Sequence, residues 1–311
     1  MIVPTYDEIG ALPLILGRLR AVLPDADILV MDDNSPDGTG ELADRLAAAD
    51  SHVQVRHRPG KGGLGPAYID GFGVGISALY DVLVQIDADG SHPPETLPEM
   101  VARLWNDETV DLVIGSRWVP GGSVVDWPLC REVLSRGANI YANLALGIHV
   151  KDATAGFRVY RASALSALDL SDVESKGYCF QIDMTIRIRD SGATIVEVPI
   201  EFRERQIGHS KMSGSIVSEA MRMVTVWGIG RRFRQLTGRP PDARPTLANS
   251  QLGAFGKVAI LGTARNAVRH DSSCDAFTQQ ITKVIHPNSN RIELSASETM
   301  TSATRAAAGQ A

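Results

Sequence analysis

The chain has 311 residues, enough for one large domain or two small ones. It is 44% hydrophobic and 22% charged, with mean hydropathy near zero, as in a soluble globular protein. A formal net charge of −5 argues against a nucleic-acid partner, and no run of 18 or more apolar residues is present to cross a bilayer. The three cysteines, Cys130, Cys179 and Cys274, lack metal-ligand spacing and fit a reducing, cytoplasmic compartment. The chain opens on Met-Ile-Val-Pro-Thr-Tyr, with no basic and apolar leader.

Met1–Val3 reads as the end of a first strand running into Pro4-Thr5-Tyr6-Asp7-Glu8. Leu12, Ile15, Leu16 and Leu19 then recur at helical spacing, and Pro24 closes that helix. Ala26–Met31 is a second strand ending in Asp32-Asp33-Asn34-Ser35-Pro36-Asp37-Gly38-Thr39, with Thr39 or a close neighbour capping a helix over 41–49. Val53–His57 is a third strand. The glycine-rich loop 58–65 follows, with Lys61 inside it. Such loops let backbone N–H groups approach phosphates, although this one matches neither a Walker A loop nor a Rossmann fingerprint and reads equally as a turn. After a helix over Ala67–Tyr80, the buried run Val82–Ile86 ends abruptly in Asp87 and Asp89.

This strand–helix alternation implies a parallel α/β sheet, in which ligands lie at the carboxyl ends of the strands. Two carboxylates there suit Mg²⁺ or Mn²⁺ holding phosphates, although by itself the pair reads as well as an acidic turn.

Pro93-Pro94-Glu95 begins a helix to Leu104, and Val110–Ile114 is a buried strand ending in Gly115-Ser116-Arg117. Arg117 is there a candidate phosphate clamp. Gly121-Gly122 marks a mobile loop. A helix from Arg131 to Leu146 puts Arg131 and Ser135 on one face, a pair that could hold a phosphate or simply be solvated. Residues 151–158 lead to a strand and a helix, Tyr178 opens another helix, and Ala193–Val198 is a strand. The loop after Phe202 carries Arg205 and Lys211 around a glycine and could fold over phosphates, with His209 incidental.

Ser215–Gln235 is amphipathic, with Ile216, Ala220, Met223, Val224 and Trp227 in a stripe and Arg231, Arg232 and Arg234 at its end. That composition suits a membrane-surface helix or a helix packed on the sheet, and the two are not exclusive. From Arg239 the chain turns proline-rich and then Ser/Thr/Ala-rich. Residues 1–238 thus read as one domain, with 215–236 as its last helix. Residues 239–311 read as a linker and a largely disordered tail without assigned chemistry.

Nine stretches in order resemble the polyprenol (dolichol) phosphate mannose synthases: VPTYDE (3–8), DDNSPDGT (32–39), GKGGLGPAY (60–68), DADGSHPPE (87–95), GSRWVPGG (115–122), REVLSRGAN (131–139), DATAGFRVYR (152–161), GYCFQIDM (177–184) and VPIEFRERQIGHSKM (198–212). The resemblance implies an inverting, GT-A-fold, family 2 glycosyltransferase: a mostly parallel, Rossmann-like sheet flanked by helices. It would use Mg²⁺ or Mn²⁺ to transfer mannose from GDP-mannose to a polyprenyl phosphate, giving a β-linked product. It assigns the nucleoside to Pro4, Tyr6, Glu8, Val30 and Asp32, with Lys61 in the adjoining loop. Ribose, diphosphate and metal fall to Asp87, Ala88 and Asp89, with Ser91 at the third ligand position, where some relatives carry Gln. Arg117, Arg205 and Lys211 would grip the diphosphate, and Arg117, Arg131 and Ser135 the lipid phosphate. Asp7 stands where the family usually has Asn. A soluble member would work peripherally on the cytoplasmic face of a membrane, with a separate membrane-anchoring protein as a further partner.

The residue chemistry agrees with such a reaction. A phosphate monoester has a second pKa of about 6, so as a nucleophile it is already largely dianionic at pH 7 and needs no general base. Its site should instead be rich in arginine. The rivals are a UDP-glucose-dependent polyprenyl phosphate glucosyltransferase and a non-catalytic nucleotide-sugar-binding scaffold.

Overall fold

In the computed structural model, which describes residues 1–171, 173, 177–205 and 214–237, the apolar runs align as one seven-stranded sheet. Its strands are β1 (Ile2–Thr5), β2 (Ile28–Asp32), β3 (Val53–His57), β4 (Val82–Gln85), β5 (Val110–Ser116), β7 (Arg158–Arg161) and β8 (Thr194–Pro199). They lie in the order β3-β2-β1-β4-β7-β5-β8. β6 (Ser123–Val125) and β9 (Glu201–Arg203) pair as a separate two-stranded parallel ribbon.

The helices cover both faces, which is why the strands read as continuous apolar runs rather than alternating ones. α1 (Leu12–Val22), α2 (Thr39–Ala49) and α4 (Leu97–Trp105) bury Leu16, Leu42 and Met100 against one face. α3 (Leu64–Ser77), α6 (Ala162–Ser166) and α7 (Tyr178–Asp190) bury Phe72, Leu165 and Phe180 on the other, joined by the C-terminal end of α5 (Leu129–Leu146) and the middle of α8 (Gly214–Thr237).

Three expectations change. The sheet is not wholly parallel, because β7 enters between β4 and β5 and runs antiparallel to both. Thr39 is not the cap of α2. Gly38 (φ 88°) stands at the cap, and Asp37 before it accepts the Thr39 N–H at 3.0 Å and its hydroxyl at 2.5 Å. The Ser215–Gln235 stripe lies inward, but against helices rather than the sheet: Val224 is buried, Trp227 partly so, and α8 packs on α5 and α7. The packing is tight at Gly228, where a Cβ would fall 2.9 Å from the Ala145 carbonyl oxygen. Ile216, Ala220 and Arg234 have side chains outside the described residues, and among the described residues no helix is long and apolar enough to cross a membrane.

The loops after β1 and β2 are stapled to each other. Asp7 (φ 57°) and Asn34 (φ 58°) are left-handed, a conformation that short polar side chains tolerate best. These turns present the Asp7 N–H to Ser35 Oγ (3.2 Å), the Glu8 N–H to Thr39 Oγ1 (3.0 Å) and the Ile9 N–H to Asp37 Oδ2 (3.1 Å).

Candidate active site

β4 delivers its carboxylates to the carboxyl edge of the sheet, and each meets a different neighbour. Asp87 Oδ1 accepts the hydroxyl of the buried Tyr68 at 2.8 Å. Asp89 Oδ2 pairs with Arg205 Nη2 at 2.9 Å, while its Oδ1 accepts the Ser91 N–H at 3.0 Å. Burial pushes the Asp87 carboxyl up, and the adjacent Asp89 adds to the shift. Burial holds the nearby His92 imidazole down, although Asp87 and Asp89 pull the other way. Ala88 is buried between the two aspartates. Ser91 is buried as well, its carbonyl accepting the Arg203 N–H at 3.1 Å.

The donor set fits a hard divalent cation. Each carboxylate oxygen keeps a second lone pair for a metal. Among the described residues no three His, Cys, Asp or Glu side chains close on one point. Mg²⁺-type binding needs only one or two carboxylates, which share the ion with substrate phosphates and water. Beside the aspartates lies a small cradle. A Cβ at Gly156 would sit 3.4 Å from Asp87 Oδ2, 3.6 Å from His92 Cε1 and 3.7 Å from Gln181 Nε2. His92 Nδ1 and Gln181 Nε2 are buried and meet no partner among the described residues.

The residues expected at the nucleoside sit on β1, which neighbours β4, on β2, the next strand out, and in the loop after β1. Pro4 pairs in register with Met31, and Thr5 with Asp32. Asp32 is buried, accepting Thr5 Oγ1 at 3.1 Å, Ser35 Oγ at 2.6 Å and the Ser35 N–H at 3.2 Å. Val30 lies wholly inside the core and packs beneath the site rather than lining it. Lys61 Nζ rests 4.0 Å above the centre of the Tyr6 ring, a cation–π contact that ties the glycine-rich loop to the loop bearing Glu8.

The glycine-rich loop differs from expectation. Two of its N–H groups, on Gly62 and Gly63, are not turned outward for phosphate. They point to Asp33 Oδ2 at 3.0 and 3.2 Å, while Arg58 pairs with Asp33 Oδ1. Asp33 is thus the anchor of the loop.

A second, cationic cluster sits where β5 ends and α5 begins. Arg117 is buried on Asp152, with Nε and Nη2 each 2.7 Å from a carboxylate oxygen, and Nη2 also reaches Thr154 Oγ1 at 2.9 Å. Burial pushes the Asp152 carboxyl up, but the Arg117 charge and hydrogen bonds outweigh it and hold it below the usual carboxylate range. The Arg117 guanidinium lies 5.4 Å from the ring centres of Trp118, Trp127 and Phe202. Arg131 stacks 4.1 Å over Trp127 and pairs with Glu204. Ser135, one turn on, is half-buried. Phe202 joins the two centres, with ring contacts of 5.3 Å to His92 and 5.4 Å to Trp127.

The structure therefore brings Asp87, Asp89 and Arg205 together, and Arg117 and Arg131 around Trp127, with Lys61 and Tyr6 at the neighbouring strand ends. Lys211 and His209 lie outside the described residues. Sequence reading passed over Asp33, Asp152, Gly156, Gln181 and the two tryptophans. The available signals were the second Asp of the Asp32-Asp33 pair and the polar residue inside each of the stretches 152–161 and 177–184.

Comparison with known proteins identifies the scaffold. The pattern of the family described as Glycosyl transferase family 2 matches residues 1–169. The chain belongs to that family. An undecaprenyl-phosphate mannosyltransferase of Micrococcus luteus is 55% identical over 238 residues, covering 76% of this chain and 97% of that protein. A polyprenol monophosphomannose synthase of Mycolicibacterium smegmatis is 53% identical over 239 residues, covering 76% and 89%. Among solved structures, mannosyl-3-phosphoglycerate synthase from Rubrobacter xylanophilus superposes with a TM-score of 0.53 at 21% identity, covering 81% of this chain and 79% of that one. Glucosyl-3-phosphoglycerate synthase from Mycobacterium tuberculosis, in a complex containing Mn²⁺ and UDP, gives 0.51 at 20% identity, covering 78% and 80%. At these identities the two structures speak for the shared GT-A fold.

Proposed function

We propose that this glycosyltransferase moves mannose from GDP-mannose to a polyprenyl phosphate, releasing GDP and giving a β-linked polyprenyl phosphate mannose. The supporting observation is that an undecaprenyl-phosphate mannosyltransferase and a polyprenol monophosphomannose synthase are more than half identical to this chain across a span holding both the carboxylate centre and the arginine–tryptophan centre. Two anion-handling centres joined by one phenylalanine suit a reaction with a diphosphate on the donor and a phosphate on the acceptor.

Asp89, with Asp87 beside it, would hold Mg²⁺ or Mn²⁺, and the ion would supply charge to the departing diphosphate. Arg205, already within reach of Asp89, would turn to the same diphosphate, and Lys211 would join it. Arg131 would receive the lipid phosphate with Ser135, one helical turn away. Trp118 Nε1 and Trp127 Nε1 are buried donors without an acceptor among the described residues and would add hydrogen bonds there. Arg117 would shape this pocket from its place on Asp152. The phosphate dianion attacks the anomeric carbon without a base, and single displacement inverts the linkage.

The acceptor is a membrane lipid, and one surface of the protein suits that location. Leu129, Val133, Ile140 and Leu144 form an exposed row along α5, while Val226, Ile229 and Phe233 form another on α8. Arg136 and Arg232 lie among them, a mixture suited to the interface of an anionic leaflet. The protein would then work peripherally on the cytoplasmic face.

Purified protein incubated with radiolabelled GDP-mannose, Mn²⁺ and a short polyprenyl phosphate should move label into organic solvent, and EDTA should prevent it. Label moved only from UDP-glucose would replace mannose by glucose. Binding of GDP-mannose without transfer would favour the scaffold reading.

A further inference from the structure

Gln181, in the first turns of α7, ends a one-way chain of buried hydrogen bonds. The chain starts at Arg158, which has no exposed surface and can only donate. Its Nε and Nη2 are taken by the carbonyls of Ala155 and Ala153, both at 2.8 Å, and its Nη1 reaches Tyr160 Oη at 3.5 Å. Tyr160 donates in turn to Gln85 Oε1 at 3.2 Å, and Gln85 Nε2 donates to Gln181 Oε1 at 2.9 Å. The buried Tyr160 hydroxyl carries one proton, and Gln85 Oε1 is the acceptor it reaches among the described residues, which sets the direction of the chain. Gln181 Oε1 must be an acceptor, and Gln181 Nε2 must be the final donor. That donor is buried with nothing to receive it among the described residues, a costly state for an amide.

What the donor faces is the cradle at Gly156. A Cβ built on Gly156 would lie 3.7 Å from Gln181 Nε2 and 3.4 Å from Asp87 Oδ2, so these two groups flank the bare face of the glycine, and a ligand lying against that face meets both. The face has a donor on one side and a carboxylate acceptor on the other. A hydroxyl group, which both donates and accepts, satisfies the two together. A phosphate oxygen would satisfy the amide but face the like charge of Asp87.

We infer that Gln181 Nε2 and Asp87 Oδ2 bracket one hydroxyl of the transferred hexose, with Tyr160 as the positioning residue that, through Gln85, keeps the Gln181 amide in its required orientation. This inference rests on the sugar-transfer reading above and adds a residue that recognises the sugar rather than the nucleotide.

The test compares ligands with and without the hexose. GDP-mannose and GDP are titrated calorimetrically, with Mn²⁺ present, into the full chain and into Gln181→Met, Gly156→Ala and Tyr160→Phe. UDP-glucose and UDP are run alongside. Gly156→Ala fills the cradle at ordinary contact distances and leaves the hydrogen-bond chain intact, so it does not depend on the fate of the core. GDP-mannose should bind about tenfold more weakly to Gln181→Met and Gly156→Ala, the equivalent of one hydrogen bond, with GDP within about twofold of wild type. Tyr160→Phe, which touches no ligand, should also weaken GDP-mannose selectively.

Equal weakening of both ligands, or none, in Gln181→Met and Gly156→Ala would overturn the inference. Wild-type GDP-mannose affinity in Tyr160→Phe would overturn the positioning role of Tyr160. Wild-type protein that prefers UDP-glucose would overturn only the choice of donor, and the same variants are then judged on the UDP pair. Wild-type protein that binds neither sugar nucleotide would overturn the donor reading and this inference together.

Discussion

Replacing Asp152 by Asn keeps the shape of the side chain and removes its charge from beneath Arg117. Both side chains are enclosed, at 5% exposure for Arg117 and 0% for Asp152, so water cannot take over. The carboxylate accepts Arg117 Nε and Nη2 at 2.7 Å each and the Arg117 N–H at 3.0 Å. Leaving one partner of such a pair uncompensated costs about 3–5 kcal/mol, a large part of a typical total of about 5–15. Asparagine retains one acceptor oxygen, which places Asp152→Asn near the lower end, at about 3 kcal/mol.

Urea unfolding of wild type, Asp152→Asn, Arg117→Met and the double variant measures this at pH 7. The double variant should lose less than the sum of the singles, because it removes both charges. The pH dependence has a definite sign. The folded Asp152 carboxyl lies below its unfolded value, so its contribution is complete above about pH 4 and fades as pH falls through the lower, folded value. The gap between wild type and Asp152→Asn should therefore shrink on acidification. A gap under about 1 kcal/mol at pH 7, or one unchanged down to pH 3, would refute the pairing.

Asp89→Ala should abolish turnover, and a Mn²⁺ titration followed by electron paramagnetic resonance should show lost metal binding; full activity in this variant would remove Asp89 from the mechanism. Arg131→Ala should raise the KM for the lipid about tenfold with kcat little changed, and normal lipid kinetics would sink that assignment. Asp33→Ala should release the glycine-rich loop, seen as faster tryptic cleavage after Lys61 together with a higher KM for the nucleotide sugar. Ile140→Glu with Leu144→Glu should abolish sedimentation with anionic vesicles while leaving GDP-mannose binding intact; retained sedimentation would place the membrane face elsewhere.

Much of the sheet was legible because its strands are short apolar runs that end in polar residues with evident chemistry, as Val82–Gln85 does before Asp87 and Asp89. Strand direction was not. Nothing local in Arg158-Val159-Tyr160-Arg161 says that it pairs antiparallel with β4, since that follows from the excursion of the chain through β6 and α5. The hydrogen-bond chain was hidden for the same reason. Gln85 looks like a polar interruption of an apolar strand until Tyr160 and Gln181 arrive from 75 and 96 residues away. The aromatic surround of Arg117 draws on Trp118, Trp127 and Phe202, which share no spacing. In α8, periodicity located the apolar stripe, but what covers a stripe is decided by tertiary packing, here by α5 and α7.

The ion pair between Asp89 and Arg205 bears on the order in which ligands arrive. With Asp89 as the proposed metal ligand, a divalent cation coming alone would meet a carboxylate whose charge is already balanced by a guanidinium 2.9 Å away. A cation arriving on a diphosphate brings with it the anion that can draw the guanidinium off. Metal and nucleotide sugar should therefore enter as one unit, each tightening the other, and calorimetry with either alone should show far weaker binding than with both. Strong binding of free Mn²⁺ would mean that Arg205 offers no such competition.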